Sequence, residues 1–244
     1  MAVHGAALQS LIPLPPRTGE GGRGIGAQSY RWKKGLIHMC GRYTVFTEEE
    51  VIEMREIINE VNLRYLNTQE HARMKTGEIF PTDTVPVLAQ GGGGEEPRLM
   101  SWGFPKFDGA GVIINARAET ALEKPMFRGS LLARRCVVPS TGFYEWKHAD
   151  GKKKKDKYLI TLPGQGILYM AGFWNVFRDK QGKPATCFVI LTSDANESIS
   201  LLHDRMPVVL APEERRLWLG DSSWAEGRLR RRDESEFLLT QISA

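Results

Sequence analysis

Cysteine is scarce in this 244-residue chain: Cys40, Cys136 and Cys187 are the three it has. An odd number, with no CxxC and no companion histidine spacing, argues against a disulfide framework and a structural zinc site and fits a reducing cytoplasm. The five histidines, His4, His38, His71, His148 and His203, are scattered without an HxxxH pair, and the glycine-rich GEGGRGIG precedes no helical pattern. Neither a metal nor an organic cofactor is therefore expected. Long apolar runs are missing too, and the apolar AALQSLIPLP near the start is interrupted by prolines with no Lys or Arg before it. Secretion and membrane insertion are both excluded on this reading. Nor does one sign of charge dominate: 33 Lys+Arg face 29 Asp+Glu, a net +4. An anionic partner is permitted rather than demanded, and any basic patch must be local.

The length suits one large domain, alone or with a tail. Residues 1–38, rich in Gly, Pro and Arg, show no periodic apolar positions, so burial cannot offset the entropy of ordering them. They read as a disordered extension, or as sequence upstream of the true start. After Cys40 the pattern changes. TEEEVIEMREIINEVN begins with Thr47 and Glu50 in capping-box spacing, and Val51, Met54, Ile58 and Val61 recur on one face, which predicts a helix. Short β-branched and aromatic runs follow, from TVPVLAQ and PRLMSWGF around GGGG to TCFVILTS and MPVVLA, and they predict strands. The lysine-rich GKKKKDK between two such runs reads as a solvated hairpin tip. Helices are expected again at TALEKPMF, ANESISLLH and PEERRLWLG, with Pro212 at a first helical position. The fold class is α+β: a single domain at 39–222 built on a strongly curved, mostly antiparallel, barrel-like sheet with flanking helices, then a C-terminal tail at 223–244.

Four stretches set reactive or directional side chains against breaks in the strand pattern: MCGRYT, INARAET, STGFYEWK and LLHDRMP. Taken singly, each has an ordinary structural explanation, such as the solvent face of a strand, a sheet-edge ion pair or a helix end. In this order, together with WGFPKF and RRCVVPSTGFYEWK, they resemble the SOS-response-associated peptidase (SRAP) family of abasic-site processing proteins, from Met39 to about Leu219.

The resemblance implies a DNA damage response protein that recognises abasic sites in single-stranded DNA and links itself to them covalently. The initiator methionine is lost, the α-amine of the exposed cysteine attacks the sugar aldehyde, and its thiol closes a thiazolidine. Carried over, the nucleophile is Cys40. An α-amine with a pKa near ~8 is partly neutral at physiological pH, whereas an internal cysteine offers only its thiol. Gly41, lacking a Cβ, allows close approach to the sugar. Glu145, between Tyr144 and Trp146, is the candidate acid or base for opening the sugar ring, its pKa expected to be raised by aromatic surroundings. His203 is the second acid/base and Asn115 the orienting group. Arg42 and Arg117 are expected to hold flanking phosphates, with Arg128 and Arg205 weaker candidates. Trp102 reads either as a base-stacking platform or as a core residue. The expected partner is single-stranded DNA carrying abasic sites, the expected state a nucleoid-associated monomer. Two other classes stay open: a cysteine autopeptidase that removes its own extension, and a non-covalent single-strand binder.

Overall fold

The computed structural model describes residues 41–46, 51–147, 155–179 and 181–242. The chain divides into units at 1–37 and 38–244, and everything below concerns the second. Its first half runs β1 (Tyr43–Val45), α1 (Ile52–Arg64), α2 (Gln69–Ala72), β2 (Gly77–Ile79), β3 (Thr84–Gly91), β4 (Gly94–Trp102), β5 (Phe104–Pro105), β6 (Val112–Ile113), β7 (Asn115–Arg117), α3 (Ala118–Ala121) and α4 (Pro125–Ala133). The second half runs β8 (Arg135–Ser140), β9 (Gly142–Lys147), β10 (Asp156–Thr161), β11 (Leu168–Arg178), β12 (Pro184–Asp194), α5 (Glu197–Ser200), β13 (Arg205–Pro207), β14 (Val209–Leu210), α6 (Glu214–Gly220), α7 (Ser222–Leu229) and β15 (Leu238–Ile242).

The strands β12, β4, β3, β8 and β11 pair in that order, and β11 pairs back onto β12, which closes a five-stranded barrel. All pairings in this ring are antiparallel except β12 with β4, so the curved, mostly antiparallel sheet expected from the sequence is what forms. Closure leaves no open edge among these strands. Gly172 on β11 is needed for it, because a Cβ there would lie 2.6 Å from the Val189 carbonyl oxygen across the β11–β12 seam. Every residue of β8 is buried, so the RCVVPS run shows no alternation of polar and apolar residues. A second sheet, ordered β15-β10-β9-β1-β2, packs beside the barrel and is antiparallel throughout. Tyr43 of β1 meets Trp102 of β4 edge-on at 5.1 Å between ring centroids.

The first helix buries Met54, Ile57, Ile58 and Val61, the face that the periodicity marks. It starts at Ile52 with Val51 as an N-cap that makes no side-chain capping bond, while Thr47 and Glu50 lie outside the described residues. TALEKPMF is not one helix: α3 ends before Pro125, which opens α4, because proline cannot sit in a helix interior but suits a first turn. Pro212 lies in the turn ahead of α6 rather than inside it. Residues 223–242, expected as a tail, are built into the fold. Helix α7 begins at Ser222, capped by Asp221, and buries Ala225 and Leu229, while β15 pairs with β10 over Leu238–Ile242. Strands β9 and β10 form the antiparallel pair expected around the lysine-rich run, Lys147 opposite Asp156, with 148–154 outside the described residues. Among the described residues no helix is long and apolar enough to cross a membrane.

Candidate nucleic-acid and chemical site

Two clusters hold the residues singled out above. The first lies on the five-stranded sheet. Strand β1 pairs with β9 so that Tyr43 faces Phe143, and the Tyr144 amide donates to the Arg42 carbonyl at 3.0 Å, which continues the register by one residue. One step further sets Gly41 across from Glu145, and Glu145 is buried at 2 % exposure on the face it shares with Phe143. Cys40, the residue before Gly41, lies outside the described residues.

On the opposite face of the same strands stand Arg42, Tyr144 and Trp146. The Arg42 guanidinium lies 4.4 Å from the Phe80 ring centroid and 5.1 Å from that of Trp146, and its Nη1 donates to Glu78 Oε1 at 3.1 Å. Lys157, opposite Trp146 on β10, sits 3.9 Å from the Tyr144 ring centroid and 5.7 Å from that of Trp146, and donates to the same Glu78 oxygen at 2.7 Å. Partial burial pulls the Glu78 carboxyl upward, but hydrogen bonds from Lys157 and Arg42 outweigh it and hold the pKa below the usual carboxylate range. Cations spread over aromatic faces are the arrangement by which proteins hold single strands.

The second cluster is organised by the C-terminal end of β12. Strand β7 pairs with it in parallel, Asn115 beside Ile190 and Arg117 beside Thr192, while β13 pairs on the other edge, Thr192 opposite Pro207 and Asp194 opposite Arg205. The NAR and HDRMP motifs, far apart in sequence, thus flank one buried threonine. His203 precedes β13 with its side chain 10 % exposed, and its Nδ1 accepts the Arg205 amide N–H at 3.0 Å. A neutral His203 then carries its proton on Nε2. Asp204 Oδ1 lies 2.9 Å from the same Nδ1 and accepts from it only when that nitrogen carries a proton.

Arg205 and Trp102 differ from their expected DNA-contact roles. The Arg205 side chain, 7 % exposed, gives Nη1 and Nη2 to the two Glu119 oxygens at 2.9 and 2.8 Å, pairs with Asp194, and donates to the Thr192 carbonyl at 2.6 Å. Its charge is committed inside the protein, so it fastens the His203 turn to α3 and does not offer itself to a phosphate. Trp102 is fully buried, which excludes stacking on a base. Its Nε1–H donates to the Ile114 carbonyl at 3.0 Å while its ring meets Tyr43, so it braces the residue before Asn115 against the residue after Arg42. Arg117 and Arg128 are exposed and make no ion pair among the described residues.

Sequence reasoning missed Glu78, Phe80, Lys157 and Thr192. Lys157 ends the lysine-rich stretch, which was its one signal, and the other three carry none outside their three-dimensional neighbours. The Thr192 hydroxyl is buried with no hydrogen-bond partner among the described residues. No group of three or more His, Cys, Asp and Glu side chains among them is placed to hold a metal ion.

The sequence profile of the SOS response associated peptidase (SRAP) family matches residues 39–243. The chain is 31 % identical over 216 residues to the abasic site processing protein YoqW of Bacillus subtilis, covering 84 % of this chain and 93 % of that one. It is 34 % identical over 119 residues to the abasic site processing protein YedK of Escherichia coli, covering 48 % and 52 % of the two chains. Among solved structures, a phage-related protein from Bordetella bronchiseptica superposes with a TM-score of 0.62 at 26 % identity, over 84 % of this chain and 95 % of that one. A protein from Bacteroides thetaiotaomicron shares the fold with a TM-score of 0.67 at 24 % identity, over 84 % and 92 %.

Proposed function

Because this chain belongs to the SOS response associated peptidase (SRAP) family, we propose that it processes abasic sites in single-stranded DNA by capturing them covalently through Cys40. The observation that carries this reading is the strand register that sets Gly41, the residue after Cys40, across from buried Glu145. A chain that begins at Cys40 presents an α-amine and a thiol together. The amine adds to C1′ of the open-chain abasic sugar, the carbinolamine loses water to an imine, and the thiol adds to that imine. The balance is one aldehyde, one amine and one thiol giving one thiazolidine and one water.

Each remaining residue answers a need of that sequence. The closed hemiacetal sugar must lose the proton of its anomeric hydroxyl and gain one on the ring oxygen, and Glu145 makes this exchange. The Nε2–H of His203 supplies the second proton exchange, at carbinolamine dehydration. Asn115, beside Ile190 where β7 pairs with β12, orients the sugar oxygens. Arg42 and Arg117 hold phosphates on either side of the lesion, and Trp146, beside Arg42, stacks on a neighbouring base.

The test is a denaturing gel of the protein, prepared to begin at Cys40, with single-stranded DNA bearing one abasic site. A heat-stable adduct that Cys40→Ala abolishes is expected. An adduct that survives Cys40→Ala refutes the nucleophile, and strand binding with no adduct from any form leaves the non-covalent binder.

A further inference from the structure

Glu78 receives two cations on one carboxylate oxygen, and neither cation has another ion-pair partner among the described residues. The cluster keeps a net positive charge of one, spread over the exposed side of Phe80 and the rings of Tyr144 and Trp146. A carboxylate and a phosphate diester offer the same kind of acceptor to such donors, two charged oxygens able to take an N–H from each side. Arg42 lies two residues from Cys40, so a strand that brings an abasic sugar to Cys40 passes this face.

We propose that Glu78 is an internal competitor for the DNA backbone: it occupies Arg42 and Lys157 until a phosphate displaces it, and Lys157 is a phosphate contact of the strand. This rests on the single-strand reading given above. The consequence is selectivity. Displacing the carboxylate lowers the affinity for every strand alike, because phosphates carry no information about the base. An intact strand then leaves readily, whereas an abasic one is retained by the bond to Cys40. Side-chain accessibility agrees with a displaceable group: Glu78 is 29 % exposed and Arg42 38 %, so solvent and strand reach both.

The experiment uses the protein prepared to begin at Cys40 and its Glu78→Gln, Lys157→Gln and Glu78→Gln/Lys157→Gln variants. Binding of a fluorescent intact single strand is followed by anisotropy over a salt series, with adduct formation on the abasic strand measured in parallel and unfolding temperatures recorded for each protein. Glu78→Gln is expected to bind the intact strand about 3- to 10-fold more tightly, with a steeper salt dependence by about one charge, and Lys157→Gln to weaken binding and flatten that slope by about one. The double variant should lose most of the gain. Equal or weaker binding by a folded Glu78→Gln overturns the competitor. An unchanged salt slope in Lys157→Gln overturns the phosphate contact. No strand binding and no adduct from any protein overturns the single-strand reading and the competitor with it, whereas a normal adduct with an unchanged Glu78→Gln overturns the competitor alone.

Discussion

Arg205 grips Glu119 at two points, Nη1 to Oε1 and Nη2 to Oε2, and so ties the turn that carries His203 to the helix that follows Asn115 and Arg117. Two motifs separated by 86 residues are held in one geometry by this pair. Arg205→Lys keeps the charge but loses the fork, and about 1 to 2 kcal/mol of stability should go with it. If Arg205 positions His203, the same substitution also shifts the pH profile of adduct formation while leaving intact-strand affinity within about 2-fold. Chemical denaturation and a pH series of adduct rates check the two parts separately.

Trp102 is expected to act through packing. Trp102→Phe removes the hydrogen bond to the Ile114 carbonyl and part of the ring that meets Tyr43, at a cost of about 2 kcal/mol. The salt dependence of strand binding should not change, because no phosphate contact is lost. A denaturant midpoint and a salt series measure both.

For Glu145 the expected signature is kinetic. Glu145→Gln keeps the size of a buried side chain and removes its proton transfer. Adduct formation should slow by about 10²-fold or more, with strand affinity nearly unchanged. Equal losses in rate and affinity would mark Glu145 as structural.

Acid stability should follow the carboxylates that pair. Burial raises the Glu119 carboxyl, but the hydrogen bonds from Arg205 outweigh it and leave the pKa lowered, and Glu78 behaves likewise. A folded pKa below the unfolded one contributes stability that is complete above the ordinary carboxylate range of about 4.3 and is lost as pH falls through the folded values. Glu95 has the opposite sign: burial raises its pKa despite Arg215, so the ionised form is disfavoured by the fold and its penalty is fully present at neutral pH. Thermal unfolding at pH 7 should therefore show Glu95→Gln equal to or above the wild type, within about 1 kcal/mol, and Glu119→Gln below it.

Much of the architecture is legible because burial imposes a period. The α1 face of Met54, Ile58 and Val61 recurs at helical spacing, and the barrel strands are short β-branched runs with glycine turns between them. Strand β1 is harder to read, since its three residues sit inside a motif whose chemistry draws attention first, and α7 escapes because SSWAEGRL has a weak apolar face. At the site, sequence identifies residue types but not their commitments. An exposed arginine and a buried one are the same letter, and only the positions of Glu119 and Asp194 show that Arg205 is spent. Trp102 illustrates the same ambiguity, as stacking and core packing favour the same side chain. Glu78 is invisible alone, because its meaning comes from two cations brought in by strands 36 and 79 residues away.

The sheet that carries Gly41 and Arg42 ends on β15, so the earliest described strand and the latest belong to one hydrogen-bonded layer. On a ribosome, the segment next to Cys40 emerges long before the residues that finish its layer. Folding of this layer therefore waits for its last strand: a nascent chain shorter than Ile242 cannot seat β10 between both neighbours, and a cut within β15 reaches, through β10 and β9, the framework around Glu145.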